Sequence, residues 1–258
     1  MTDDIYVEHR NGIAELVLNR PSKRNAITSA MWKAIPSLLQ PLADDRSVKL
    51  VIVRGSGGSF AAGADIAEFE DVYATRERAE AYSRSIGSAL DALAHFPKPT
   101  LARIEGACVG GGCGVALSCD LRFAAEGSKF AITPSKLGLT YTLNDTKRLI
   151  DAVGVSNAKD ILYSGRMLDN AEALAMGLIN RSVPADQLDT VIEEYIALLA
   201  TRSSYSMQST KAIISKIRTG THSETADSFD LFLQAFQDED FQEGYRAFLE
   251  KRPPVFKG

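Results

Sequence analysis

Apolar and polar residues alternate over residues 5–9 and again over 13–18. Asn11-Gly12 between them has the chemistry of a tight turn, so the chain is expected to open with a hairpin. The stretch from Asn19 to Ala26 then leaves the sheet. From Thr28, a candidate N-cap, Met31, Ile35, Leu38, Leu39 and Leu42 recur at helical spacing, and Pro36 predicts a kink inside that helix. Residues 49–54 read as a buried strand, 65–71 as a short helix, and 75–95 as a long helix stopped by Phe96-Pro97. Strands are expected at 100–105, 120–125 and 129–132. Helices follow at 144–153, 156–163 and 170–176, with Gly154, Gly165 and Gly177 as their stops, and a strand returns at 178–183 before Pro184. Strand, crossover helix and next strand make a right-handed unit, so ββα turns stacked as a spiral are the natural architecture. Beyond Ala185 no strand pattern recurs. Phe229, Phe232 and Phe236, then Phe241, Tyr245 and Phe248, repeat every three or four residues and give consecutive helices aromatic faces.

The chain has 258 residues, 45% hydrophobic and 24% charged, which fits one large globular domain or a domain with an appendage. A net charge of −4 argues against a nucleic-acid or membrane partner, so an anionic ligand must be met by local basic residues. The cysteines Cys108, Cys113 and Cys119 stand at C-x4-C-x5-C spacing, which is neither a zinc site nor a redox pair; they read as small buried residues in a reduced compartment, and no metal site is expected. The acidic opening and the lack of a long apolar run make the cytoplasm the expected location.

Candidate chemistry gathers at two glycine-containing turns. In Cys108-Val109-Gly110-Gly111-Gly112-Cys113-Gly114, a tight turn enters a helix with bare N–H groups, which suits a carbonyl oxygen acquiring negative charge. The same pattern also serves where a strand passes closely beneath a helix. Ser59-Phe60-Ala61-Ala62-Gly63-Ala64-Asp65-Ile66 follows the strand at 49–54 and again puts small residues where a backbone must approach something closely. Neither stretch is G-x-G-x-x-G, and no Gly-Lys-Ser/Thr follows, so dinucleotide and Walker phosphate loops are not supported.

Together with Pro97-Lys98-Pro99-Thr100 and the segment from Gly165 to Gly177-Leu178-Ile179, these turns resemble the crotonase superfamily, also called the enoyl-CoA hydratase/isomerase family. The resemblance runs from about Ile5 to Pro253. It implies an α/β fold, a spiral of ββα units over residues 1–195, with a C-terminal helical trimerisation region over 196–258. It further implies an acyl-CoA thioester substrate, no cofactor beyond its coenzyme A moiety, and a homotrimer or a dimer of trimers. Carried onto this sequence, it puts the two oxyanion amides at Ala64 and Gly111. Lys23 or Arg24 falls near a coenzyme phosphate, Ala62, Asp65 and Ile66 fall along the coenzyme, and Phe248 and Lys251 reach the coenzyme of an adjoining subunit.

One departure decides the expected reaction. Hydratases of the family use two glutamates, and the matching positions here hold Gly114 and Pro134, which have no ionisable side chain. The stretch Ile132-Thr133-Pro134 with Leu137-Gly138-Leu139-Thr140-Tyr141 resembles in part the loop of bacterial methylmalonyl-CoA decarboxylase, in which the tyrosine faces the acyl group. That enzyme has a histidine where Ala64 stands and a glutamate where Gly114 stands. The expected function is therefore an acyl-CoA lyase, decarboxylase-like, with Tyr141 in the pocket. Hydratase or isomerase action through substitute residues, thioester hydrolysis and acyl-CoA binding without catalysis are the alternatives. Asn144 and Asp145 read as N-caps, Thr133 and Ser135 as turn residues, and Glu68 and Asp71 as a solvated face. His9, His95 and His222 belong to no constellation.

Overall fold

The hairpin forms where the alternation puts it. β1 (Ile5–Arg10) and β2 (Ile13–Leu18) pair antiparallel, Ile5 opposite Leu18, and both turn residues have left-handed φ, 48° at Asn11 and 82° at Gly12. The structure is a computed structural model that describes residues 3–256. Down the chain follow α1 (Ser29–Asp44), β3 (Leu50–Gly55), α2 (Phe69–Val72), α3 (Arg76–Ala94), β4 (Thr100–Ile104), β5 (Ala107–Val109), α4 (Gly111–Ser118), β6 (Leu121–Ala125), β7 (Lys129–Ala131), α5 (Leu143–Ser164), α6 (Asn170–Ala175) and β8 (Arg181–Val183). Four helices close the chain: α7 (Leu188–Ala200), α8 (Ser204–Arg218), α9 (Ala226–Gln234) and α10 (Glu239–Leu249).

Six strands make one sheet in the order β1-β2-β3-β4-β6-β8, parallel from β2 onward, and β5 pairs in parallel with β7 in a second, two-stranded sheet. The sheet is covered on both faces, which is why β3 reads as a continuous apolar run rather than an alternation. Val51 and Val53 face the larger core with residues of α1, α3, α4 and α5. Leu50 and Ile52 face the other way, joining Ile13, Leu101 and Phe123 against Leu188 and Ile192 of α7.

Several elements differ from the pattern in the sequence. β5 was not expected; it is three residues long and carries no alternation to detect. β8 begins at Arg181 rather than 178, because the Ile179 N–H bonds back to Ala173 and the Asn180 side chain accepts from Arg122 N. α1 starts at the expected cap, Thr28 accepting from Met31 N, and runs on through Pro36 and Pro41. Its face of Met31, Trp32, Ile35, Leu39 and Leu42 is buried, and that packing holds the helix together. The helices expected at 144–153 and 156–163 join as α5 across a break at Gly154 (φ 76°, ψ 165°).

The division expected at residues 195 and 196 falls inside α7. The aromatic residues beyond it form a chain of ring contacts, Phe229–Phe232–Phe236–Phe241–Tyr245, with centroids 5.2–6.4 Å apart. All five rings and Phe248 stay exposed, Phe248 at 82%. Among the described residues no helix is long and apolar enough to cross a membrane.

Candidate functional site

The residues after the hairpin set up the first turn. Asn25, fully buried with φ 56°, accepts from Arg20 N and donates to the carbonyls of Ser56 (2.8 Å) and Ser59 (2.6 Å). Arg20 donates to Ala26 O and to the Asp65 carboxylate (2.8 Å). Burial pushes the Asp65 carboxyl up, but the Arg20 and Ala67 hydrogen bonds outweigh it and hold the group below its ordinary value. The Ala62 N–H donates to Arg24 O, while Ile27 N donates to Gly63 O and Asp65 N to Ile27 O. The chain around Ala64 is thus held on both sides by main-chain bonds.

The second turn packs directly on the first. Ala61 N bonds Ala107 O and Val109 N bonds Ala61 O, so Ala61 pairs in parallel with Cys108 of β5, while Ala64 pairs with Ile27. A side-chain carbon on Gly112 would lie 2.5 Å from Ala61 O, so this contact admits only glycine. Gly63, at φ 105°, would meet Val109 O at 3.0 Å in the same way. A carbon placed on Gly111 would be 3.4 Å from Ala64 N, and one on Gly63 would be 3.5 Å from Gly111 N. Neither the Ala64 nor the Gly111 N–H donates to a carbonyl or side chain among the described residues. Two unspent amides therefore stand close together, one of them at the start of α4, where the helix dipole adds positive character.

The face of α4 continues from Gly111 to Gly114, one turn on. Trp32 of α1 lies against Gly111, its Cζ2 3.0 Å from the point a side-chain carbon would take. At Gly114 the corresponding point is 3.4 Å from Leu90 Cδ1 and 3.7 Å from the Tyr141 hydroxyl. Tyr141 thus reaches into space that a side chain at position 114 would otherwise fill. It is half-buried, and its hydroxyl makes no hydrogen bond with a described residue. Burial, with Cys113, Asp145 and Cys108 nearby, raises the phenol well above its ordinary value, while Arg148 pulls the other way, and the group keeps its proton.

The start of α5 fixes the end of the Tyr141 loop. Thr142, not Asn144 or Asp145, is the N-cap, accepting from Asp145 N and donating to the Asp145 carboxylate at 2.7 Å. Asp145 holds Arg148 at 2.9 Å, and Arg148 also bonds Asp91 of α3. The sequence reading missed this buried network, although the i,i+3 spacing of Asp145 and Arg148 is a legible helical signal. Pro134 opens a 3-10 turn, Pro134–Leu137, and brings no ionisable group.

The remaining candidates are spread out. Lys23 and Arg24 are exposed at the end of the Pro21–Lys23 turn, and the Lys23 charge is felt at Asp65. Ile66 is 64% exposed. Glu68, read as a solvated residue, instead accepts from the N–H (2.7 Å) and hydroxyl of Ser29. Phe248 and Lys251 sit at the exposed end of α10, separate in sequence from both turns. The three cysteines are free and buried, Cys113 donating to Cys108 O at 2.9 Å. A cavity of about 860 Å3 lies elsewhere, between the end of α4 and α8, lined by Leu117, Arg148, Tyr195 and Lys211, and none of the three candidate catalytic residues borders it.

A family model described as enoyl-CoA hydratase/isomerase matches residues 8–258. The chain belongs to the enoyl-CoA hydratase/isomerase family. Its crotonase fold superposes on the crystal structure of an enoyl-CoA hydratase/isomerase family protein from Hyphomonas neptunium with a TM-score of 0.96, at 46% identity over 98% of this chain and 97% of that one. The protein named "probable enoyl-CoA hydratase echA8" of Mycobacterium tuberculosis is 34% identical over 98% of both chains. The crotonyl-CoA hydratase of Syntrophomonas wolfei is 32% identical over 98% of both. As a member of this family the protein is an acyl-CoA enzyme, and the paired N–H groups of Ala64 and Gly111 stand at the meeting of its two glycine turns.

Proposed function

We propose that this enzyme is a lyase that forms a thioester enolate by decarboxylation, without the paired glutamates of a hydratase. The observation that carries the reading is Tyr141: its unpartnered hydroxyl stands where a Gly114 side chain would be, beside a helix start with an unspent amide. The bond from the α-carbon to the carboxylate breaks, its electron pair moves into the thioester carbonyl, and the enolate oxygen takes the N–H groups of Ala64 and Gly111. Carbon dioxide departs and the α-carbon takes a proton. No base is required, which agrees with glycine at 114 and proline at 134. Tyr141, kept protonated by burial, orients the carboxylate, and the proton that reaches the α-carbon passes through its hydroxyl and is replaced from solvent. Lys23 or Arg24 would meet a coenzyme phosphate, with Ala62, Asp65 and Ile66 along the coenzyme. The exposed aromatic face of α9 and α10 would bury in a homotrimer or a dimer of trimers, placing Phe248 and Lys251 at a neighbour's coenzyme.

A hydratase reading has its own support, the printed names of the relatives together with Asp145, the carboxylate whose charge reaches Tyr141. Mass spectrometry in deuterated water separates the two. With methylmalonyl-CoA the expected products are carbon dioxide and a thioester carrying one deuteron, and Tyr141→Phe should slow this by about tenfold or more. Water addition to crotonyl-CoA with methylmalonyl-CoA left intact would establish the hydratase reading in its place.

A further inference from the structure

Away from the two glycine turns, the cavity of about 860 Å3 between the end of α4 and α8 holds a buried cation without a counter-charge. Arg122, the second residue of β6, lines this cavity and is only 8% exposed. Its Nε donates to Leu178 O at 2.8 Å, and Nη1 donates to Cys119 O at 3.0 Å and to Asp120 O at 3.5 Å. These carbonyls fix the guanidinium in place but bring no negative charge. Nη2 makes no hydrogen bond with a described residue, and it is not sealed off as a fully buried atom would be.

The other charges around the cavity are already spent. Lys211 pairs with Asp120 at 2.7 Å, Arg218 with Asp151 at 2.7 Å, and Arg148 with Asp145 and Asp91. Arg122 forms no ion pair with a described residue. Burial holds its guanidinium below the ordinary value, and the charge of Asp120 does not make up the difference. Arginine nevertheless stays protonated in proteins, so the charge remains. Buried charges in folded proteins are paired, because an unpaired one has lost its hydration with nothing in return. An immobilised guanidinium with an open N–H edge is the donor that a carboxylate takes.

Much of the remaining wall is apolar. Leu117 of α4, Tyr195 and Leu199 of α7, and Met207 and Ile214 of α8 line it, and the volume falls in the range of pockets that hold small molecules. We infer that this cavity is a second ligand site, for a carboxylate on a medium-length apolar chain, with the carboxylate on Arg122 and the chain along Leu117, Leu199, Met207 and Ile214. A single open cation suits a single negative charge, and the apolar wall suits a tail rather than a second polar group. Ala64, Gly111 and Tyr141 do not border the cavity, so the site is separate from the one at the glycine turns and does not depend on the reaction proposed there.

The test is titration calorimetry of the intact protein with octanoate and with octanol, which share a chain and differ in charge, in the presence of saturating coenzyme A. Octanoate is expected to saturate at one molecule per chain and to bind about tenfold or more tighter than octanol, the worth of a hydrogen bond to a charged group. Arg122→Gln should bring the two affinities together. Because Arg122 also ties two segments of backbone, Met207→Trp serves as a second variant: it fills the cavity from α8, leaves Arg122 in place, and should abolish octanoate binding with the melting temperature unchanged. Absence of octanoate binding, equal affinities for octanoate and octanol in the wild type, or wild-type binding by Met207→Trp would overturn the assignment. Displacement of octanoate by coenzyme A would also overturn it, by placing the ligand at the glycine turns.

Discussion

Ala64 and Gly111 offer main-chain N–H groups on turns tied down from several sides, whereas Tyr141 offers a side chain at the end of a loop whose residues 135–140 are all exposed. The first arrangement depends on the absence of side chains: Gly63 and Gly112 let two backbones touch, and at Gly111 an added carbon would press on Trp32. The second depends on one particular side chain, held by a cap at Thr142 and the Asp145–Arg148–Asp91 network behind it. Chemistry carried by the backbone tolerates a change of reaction. Under the proposed reading the loop is where the reaction is chosen, and the residues Gly114 and Pro134 bring no ionisable side chain to it.

The sharpest way to break this arrangement is Gly112→Ala, which drives a carbon against Ala61 O and separates the two turns. It is expected to destabilise the fold by about 3 kcal/mol, lowering the melting temperature by roughly ten degrees, and to abolish turnover. An unchanged melting curve would mean that the turns do not depend on this contact. Gly111→Pro removes one amide of the backbone half, and its ring also presses on Trp32, whose Cζ2 lies 3.0 Å from the added carbon. Proline is tolerated at the first helical position but removes the N–H, so kcat should fall roughly a hundredfold or more with a smaller loss of stability than Gly112→Ala. Wild-type kcat in this variant would remove Gly111 from the site.

The smallest effect concerns the anchor of the Ala64 turn. Arg20 holds the Asp65 carboxyl below its ordinary value of 3.8, so the stability this contributes is present above about pH 3.8 and is lost as pH falls through the lowered folded value. Urea midpoints measured against pH should show that acid loss, about 1 kcal/mol or less, in the wild type and not in Arg20→Ala. Identical acid profiles would mean that the pair does not hold the turn.

The order of most strands and helices, the hairpin, the N-cap at Thr28 and both glycine turns were legible in the sequence, because each is a local pattern. The family was legible too, since its motifs fall in order along nearly the whole chain. β5 was not, being too short to show a period. Asn25 also passed unnoticed: one asparagine in a polar loop gives no sign that its side chain will be buried and bond two carbonyls far along the chain.

By itself, then, the sequence determined which backbone stretches carry only small residues and that positions 114 and 134 hold no ionisable side chain, since both are properties of single positions. It could not say what fills the space those positions leave. Only the tertiary structure brought Tyr141 over Gly114, Trp32 against Gly111 and Tyr82 beside Trp32, because each contact joins separate elements and depends on how α1, α3, α4 and the start of α5 pack on one sheet.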